Sequence, residues 1–439
     1  MKITTLSRGT AILAALGAVE LSFTVFAAQL ADRETTYPLY LAFYLAMGVT
    51  WLVASYYVAS SKSSSRAHLR LVVLVAVVLR VPFLLTEPLL SDDIFRYVWD
   101  GRVSHAGINP YLYAPEEQEL AFLREGHEHN FDGINNKDIP TIYPPFMQMA
   151  FFAATALSTS VSWMKLFFVL CDLALVFVLM QLLGALGLNP VRALIYAWSP
   201  LVVVEVAGSG HNDALAVLGL MAALSAIVHN RQSLSSFLLT LSGMGKIVGF
   251  MLTPLWLRSL SPRALLVMPL VSVLLALPYV SAGSLAFRGL TQYGLRWRGN
   301  DGLFHILFYL TGSLDTAKIV IGAFLVTMVL VLVLLKANPL RSSYLTLGAI
   351  LLLTTTAHPW YLLWIAPFLA IYVSPAWLYL TLSVGLAYHS AYLATPGQPW
   401  EDLIWVKLLE YVPFFVLAIF SVWRERGALR AFIGLNSPP

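Results

Sequence analysis

The chain has 439 residues, of which 59% are hydrophobic and 11% are charged, whereas soluble proteins carry about a quarter charged residues. Its net charge is +4, but Lys and Arg lie at the ends of apolar runs, which argues against a nucleic-acid-binding patch. The repeated apolar runs are about as long as the 20 residues that cross a bilayer. The composition therefore predicts an all-α integral membrane protein, and the single Cys171 leaves no disulfide framework.

Three apolar runs open the chain, over residues 9–30, 37–60 and 68–86. The first is longer than the apolar core of a signal peptide, so it is predicted to be a membrane span. Lys and Arg residues between the second and third runs predict that this turn is cytoplasmic, because cytoplasmic loops are enriched in positive charge. Three crossings then place Asp92 and Asp93 outside the membrane.

Residues 89–146 form the one long polar interval of the sequence, and ten of the 23 Asp and Glu residues fall in it. Its Pro and Gly residues predict an ordered surface loop of short helices and turns. Asp92 and Asp93 begin it directly after an apolar run, and carboxylates fixed at a membrane span usually have a function. The loop is therefore predicted to carry the chemistry. The run 142–157 that follows is predicted to dip into the outer leaflet without crossing.

The remaining runs complete a polytopic helical bundle of about 12–14 spans. With Arg192 and Arg231 on the cytoplasmic side, the turn 208–213 reaches the outer face. Lys246 lies in the middle of the run 233–256, and two short helices that turn at 243–246 would keep its ammonium out of the lipid. The sequence predicts five divisions. They are N-terminal spans (1–86), a catalytic loop with a dipping helix (87–158) and core spans (159–282). An outer loop with a short helix (283–311) and C-terminal spans with a cytoplasmic tail (312–439) complete the chain.

Several separated polar features meet at the outer face on this topology, which is how a catalytic site is recognised. Asp93 or Asp92 could act as a general base towards a hydroxyl, or the pair could cap the helix that follows. A second feature consists of His211, Asn212 and Asp213. These side chains could contact a sugar or acceptor, or they could cap a helix.

The cationic and aromatic features also have two interpretations each. Lys246 could bind the phosphate of a lipid or pair with a nearby carboxylate. Arg296 and Arg298 could bind an anion or anchor the interface. A further set of side chains consists of His358, Trp360 and Tyr361. These residues could bind substrate or belong to an aromatic belt. Glu205 is close enough to the outer face to support the site. The common metalloprotease, nucleotide-hydrolase and serine-hydrolase motifs are absent.

Four motifs of the sequence resemble those of one enzyme superfamily. The motifs DDIFRYVWDGRVSHAGINPYLYAP, IYPPF, GHNDAL and HPWYLLW resemble the GT-C superfamily of polytopic glycosyltransferases, and most closely the bacterial polyprenol-phosphate-mannose-dependent α-mannosyltransferases. The resemblance implies that Asp93 is the catalytic base, with Asp92 as second choice. Further residues within these motifs are expected to contact substrate: Arg96, Tyr97, Asn109 and Tyr143.

The resemblance further implies transfer of a hexose, mannose above all, from a polyprenyl-phosphate donor to a glycan or lipid acceptor. The transfer would invert the anomeric carbon, at the extracytoplasmic face of the cell membrane, with both termini cytoplasmic. The second acidic motif of the metal-dependent branch is not recognisable, so neither a metal nor another cofactor is expected. A transporter or flippase of a lipid-linked or small anionic substrate is the alternative, although its key charges would lie near mid-membrane. A non-catalytic partner in polysaccharide assembly is a third possibility.

Overall fold

The computed structural model describes residues 8–30, 33–61, 65–88, 90–393 and 403–424, without the side chains of residues 33–35, 296 and 391. Across these ranges the regular structure is helical, and strand pairing is limited to one isolated bridge between Gly299 and Thr356. The prediction of an all-α protein is therefore confirmed. The predicted cytoplasmic tail beyond residue 424 lies outside the described residues.

The three predicted N-terminal spans are present as long helices: α1 (Arg8–Gln29), α2 (Arg33–Ser60) and α3 (Arg66–Leu84). The polar loop that follows contains α4 (Asp93–His105), a 3₁₀ helix (Gln118–Leu123) and α5 (Glu128–Asp132), and α6 (Pro145–Thr155) comes at its end. Helix α6 has 11 residues, so it is about 16 Å long and too short to cross a hydrocarbon core of about 30 Å.

The central part of the chain follows α6 and contains short and interrupted helices. Its helices are α7 (Val161–Ala185), α8 (Leu194–Ala197), α9 (Pro200–Val202), a π-helix (Val203–Gly208), α10 (Asp213–Val228), α11 (Gln232–Gly245) and α12 (Val248–Met251). Helix α10 packs between α7 and α11. Helix α11 ends at Gly245 and Lys246 is extended, with φ −146° and ψ 135°. The predicted helix break at Lys246 is therefore present.

The C-terminal part contains further spans and a short amphipathic helix. Its helices are α13 (Pro262–Ala276), α14 (Arg288–Arg296), α15 (Gly302–Thr311), α16 (Leu314–Leu334), α17 (Pro339–Leu353), α18 (Pro375–Ser383), α19 (Tyr388–Leu393) and α20 (Ile404–Arg424). The predicted span 360–372 is instead two 3₁₀ segments, Pro359–Trp364 and Ala366–Ala370.

Seven described helices are long and apolar enough to cross a membrane, or eight if the segments Pro190–Ala197 and Pro200–Gly208, bent by 56°, form one span. The chain is thus a multi-pass membrane protein. The predicted number of about 12–14 spans is too high for full-length helices. Proline and glycine interrupt several apolar runs, and the resulting pieces are too short to span the membrane alone.

Two buried cations fix the C-terminal end of α3, from which the polar loop departs. Arg80 on α3 pairs with Asp172 on α7 at 2.5 Å, and both side chains are fully buried. Lys165 at the start of α7 donates to the carbonyl oxygens of Phe83 at 2.5 Å and Thr86 at 2.7 Å. Because a cation stabilises the free carbonyls at a helix C-terminus, Lys165 holds the segment that leads into Asp93.

Candidate active site

Asp93 lies at the first position of α4, at the edge of the bundle. Its side chain is 25% exposed, and its Oδ1 accepts a hydrogen bond of 3.1 Å from Asn135 Nδ2. Burial raises the pKa of the Asp93 carboxyl, while the Asn135 bond and the charge of Lys246 act in the opposite direction. A carboxylate that is partly exposed and has a raised pKa suits general-base chemistry.

Asp92 does not cap α4 with its side chain, although it occupies the N-cap position. The hydroxyl oxygen of Ser91 instead accepts a long hydrogen bond of 3.4 Å from the Asp93 amide. The interpretation of Asp92 as a side-chain cap is therefore wrong, because its backbone is in the helical region, with φ −97° and ψ 0°, where N-cap residues are usually extended.

His211 lies between two carboxyl groups. Its Nδ1 is 4.0 Å from Asp93 Oδ2 and its Nε2 is 3.3 Å from Glu205 Oε2. The Tyr388 hydroxyl lies 2.9 and 3.0 Å from the two oxygens of Glu205 and donates to that carboxyl group. Burial, with the nearby Lys246 and His358, lowers the pKa of His211 well below its usual value. The imidazole is consequently neutral, and the prediction that Glu205 supports the site agrees with this contact.

Asp213 begins α10 and holds two donors from distant parts of the chain. Its Oδ2 forms an ion pair with Lys246 Nζ, and its Oδ1 accepts a hydrogen bond of 2.8 Å from Trp364 Nε1. Asp213 is fully buried, whereas the Lys246 side chain is 20% exposed. Of the two interpretations of Lys246, the structure shows the carboxylate partner. Asn212 occupies the N-cap of α10 without a side-chain capping bond, and its buried amide forms no hydrogen bond.

An aromatic stack covers one side of the site. The Trp360 ring lies between the rings of His211 and His358, with centroid distances of 4.1 and 4.3 Å. The Tyr361 hydroxyl bonds to that of Tyr293 on α14, and Lys246 Nζ lies 5.7 Å from the Tyr361 ring centroid. The predicted aromatic and polar residues are therefore brought together.

The residues of the first motif that were expected to contact substrate form the frame around Asp93. Arg96 pairs with Asp100 at 2.7 Å and donates to the Ile139 carbonyl at 2.8 Å. Tyr97 is fully buried, and its ring contacts that of Tyr143 edge to face at 5.1 Å. These contacts fix the position of α4 in the loop.

Asn109 joins the polar loop to the segment before α14. Its amide donates to the Tyr279 carbonyl at 3.1 Å and to the Ser281 hydroxyl at 2.9 Å. Neither partner belongs to the groups around Asp93, so the structure gives Asn109 a connecting role between these two segments.

Arg298 belongs to a second charged cluster. Its Nε lies 2.6 Å from Asp301 Oδ2, and Asp301 is fully buried and also paired with Lys407. The guanidinium lies over the Phe308 ring at 4.1 Å. The side chain of Arg296 lies outside the described residues.

The sequence reasoning missed several residues of these two clusters, including Asn135, Tyr293, Trp364, Asp301 and Lys407. Trp364 belongs to the HPWYLLW motif, so its motif was a signal that could have identified it. Asn135 lies in a turn without a recognisable motif. Among the described residues, no group of three or more His, Cys, Asp or Glu side chains could hold a metal ion, and the expected independence of metal stays a prediction.

Comparison with known proteins identifies the family. No curated protein and no solved structure matches the chain. A family model described as "Alpha-(1->6)-mannopyranosyltransferase, N-terminal domain" matches residues 4–260, which include Asp93, His211, Asp213 and Lys246. The match covers more than half of the chain, and it confirms the resemblance to GT-C mannosyltransferases and the assignment as a glycosyltransferase. The chain belongs to the alpha-(1->6)-mannopyranosyltransferase family.

Proposed function

We propose that this protein transfers mannose from a polyprenyl-phosphate-linked donor to a glycan or lipid acceptor at the extracytoplasmic face of the cell membrane. The observation that supports this most is the position of Asp93, a partly exposed carboxylate beside His211 and the Lys246–Asp213 pair. The printed family description suggests an α-(1→6)-linked product. The transporter alternative is not favoured, because the matched family is one of transferases.

The proposed reaction is a single displacement with inversion. Asp93 Oδ2 takes the proton of the acceptor hydroxyl while the acceptor oxygen forms a bond to the anomeric carbon. The bond from that carbon to the phosphate oxygen breaks, and its electron pair leaves with the polyprenyl phosphate. The Asn135 bond occupies Oδ1, which leaves Oδ2 for the proton. General-base assistance of this kind contributes about 10² to 10⁴ in rate.

The donor phosphate requires cations at the same face. Lys246 is partly exposed and close to the aromatic stack, and the Arg298 side chain is 32% exposed at the second charged cluster. Arginine and lysine both bind phosphate through charge-assisted hydrogen bonds. Either residue could hold the phosphate while Trp360 and Tyr361 lie beside the sugar.

The direct test compares donors for the purified protein in detergent micelles. Radiolabelled mannose should pass to an α-mannoside acceptor from polyprenyl-phosphate-mannose and not from a nucleotide-linked mannose. A product of α configuration from a β-linked donor would confirm inversion. Transfer from the nucleotide donor alone would contradict the proposed donor. Uptake of substrate by vesicles reconstituted with the protein, without transfer, would favour the transporter.

A further inference from the structure

Asp93 and Lys246 present a chemical conflict in one small site. The charge of Lys246 acts on Asp93 and favours its ionised form. A direct ion pair between a carboxylate and a cation lowers the carboxyl pKa by about 1–3 units, which would weaken Asp93 as a base. An ammonium next to a catalytic carboxylate therefore has to be kept from pairing with it.

The structure shows a different partner for the ammonium. Among the described residues, Asp213 is the one carboxylate that forms an ion pair with Lys246, and Asp93 forms none with Lys or Arg. The second oxygen of Asp213 is fixed by Trp364 at 2.8 Å. The fully buried Asp213 carboxylate is thus held by one donor on each oxygen and has little freedom to move.

The backbone also holds Lys246 on the side of Asp213. Lys246 follows Gly245, where a Cβ atom would lie 3.3 Å from the Cβ of Ala216 on α10. Ala216 lies one turn after Asp213 on the same helix. The close approach of α11 to α10 at this point directs the lysine towards the start of α10.

We propose that Asp213 is a positioning residue that holds the Lys246 ammonium apart from Asp93, so that Asp93 stays free to take the acceptor proton. The proposal rests on the proposed role of Asp93 as the base. It assigns Asp213 a role different from the expected contact with sugar or acceptor, and it explains why a lysine and a catalytic carboxylate can share one site.

The other groups that face Asp93 come from several segments of the chain. Asp92 and Asp213 raise its pKa, and Asn135 and Lys246 lower it. His211 is neutral and has Glu205 on its far side. The Tyr97, Tyr143, Tyr293 and Tyr361 rings also feel the Asp93 charge, but phenols with an ordinary pKa near 10 stay neutral in the range where a carboxyl titrates. After burial and the Asn135 bond, Lys246 and Asp213 act on the Asp93 pKa more strongly than Asp92, so changes at these two residues should move the titration of Asp93.

The experiment measures kcat/KM for mannose transfer from polyprenyl-phosphate-mannose against pH, because this profile reports the pKa of the free enzyme's base. Activity falls on the acid side as Asp93 becomes protonated. Asp213→Asn keeps the shape and the Trp364 bond but removes the carboxylate that holds the ammonium, so the acid limb should move to lower pH by about one unit or more. Part of this shift comes from the lost Asp213 charge itself, so the same substitution in a Lys246→Met background should move the limb by a smaller amount. Lys246→Met should move it to higher pH, and the double variant should return it close to the wild-type position.

Asp301→Asn is the matched control. It also breaks an ion pair between a buried aspartate and a lysine, Lys407, and it should leave the acid limb of the kcat/KM profile in place. An unmoved limb in Asp213→Asn, or an equal shift from this substitution in the wild-type and Lys246→Met backgrounds, would overturn the proposal. If Asp213→Asn does not fold, Trp364→Phe removes the donor that fixes the second oxygen of Asp213 without changing a charge. This variant should also lower the acid limb, and an unmoved limb would contradict the inference. Two outcomes separate this inference from the proposed function. If Asp93→Asn loses transfer and the acid limb of Asp213→Asn is unmoved, this inference fails and the proposed function stands. If Asp93→Asn remains active, both fail.

Discussion

Replacing Gly210 by alanine perturbs the candidate site through backbone and packing without changing a reacting group. Gly210 has φ +77° and directly precedes His211. A Cβ atom at this position would lie 2.3 Å from Ile94 Cδ1 and 3.1 Å from Lys165 Cγ. Ile94 follows Asp93, and Lys165 holds the end of α3, so the new methyl group would push on both supports of the base.

The structure gives the size of the effect. A left-handed conformation costs a non-glycine residue about 1–2 kcal/mol, which should appear as lost thermal stability. Because carbon atoms pack at about 3.5–4.0 Å, the Cδ1 end of the Ile94 side chain has to move by more than about 1 Å, and a misplacement of about 1 Å that reaches the neighbouring Asp93 can cost about 10² in rate. We expect Gly210→Ala to lower kcat by up to about 10²-fold.

Gly107→Ala is the matched control. Gly107 has φ +76° and its added Cβ would meet nothing within 4 Å, so this variant carries the same backbone strain without the collision. Thermal unfolding in detergent should show similar losses of Tm for the two variants, while the transfer assay should show a fall in kcat for Gly210→Ala alone. Equal kcat values for both variants would refute the claim that the turn before His211 sets the position of Asp93.

Further predictions concern topology and the donor phosphate. In a Cys171→Ala background, a cysteine at the exposed position Glu128 should react with an impermeant thiol reagent from outside the cell, and one at Arg66 should react only after permeabilisation; the reverse pattern would invert the proposed topology. Lys246→Met should raise the KM for donor far more than Lys246→Arg if the ammonium serves as charge, whereas equal losses would assign it to a fixed pairing geometry with Asp213. Arg298→Gln should raise the donor KM with little change in kcat, and an unchanged KM would exclude it from phosphate binding.

The sequence was sufficient for features that depend on local pattern. Apolar length predicted α1, α2 and α3, and the cost of an ammonium in lipid predicted the helix break at Lys246. The position of Asp93 at the start of α4 also followed from the motif that contains it.

Features that depend on long-range contacts could not be predicted from the sequence. The pairing of Lys246 with Asp213 joins residues 33 positions apart, and a lysine can satisfy its charge with a phosphate as well as with a carboxylate. The Asn135 bond to Asp93 spans 42 positions and comes from a turn without a motif. The number of spans was overestimated because hydropathy does not reveal where tertiary packing tolerates broken helices.

The most direct measurement of the central claim is mannose transfer by Asp93→Asn from polyprenyl-phosphate-mannose, with donor binding measured separately. Asparagine keeps the shape of the side chain but cannot take the acceptor proton, so the variant should fold and bind donor while losing about 10²-fold or more in turnover. Asp92→Asn should retain most of its transfer, because the Asp92 side chain makes no capping bond to α4. Near-wild-type turnover in Asp93→Asn would contradict the account, and loss confined to Asp92→Asn would move the base to the neighbouring residue.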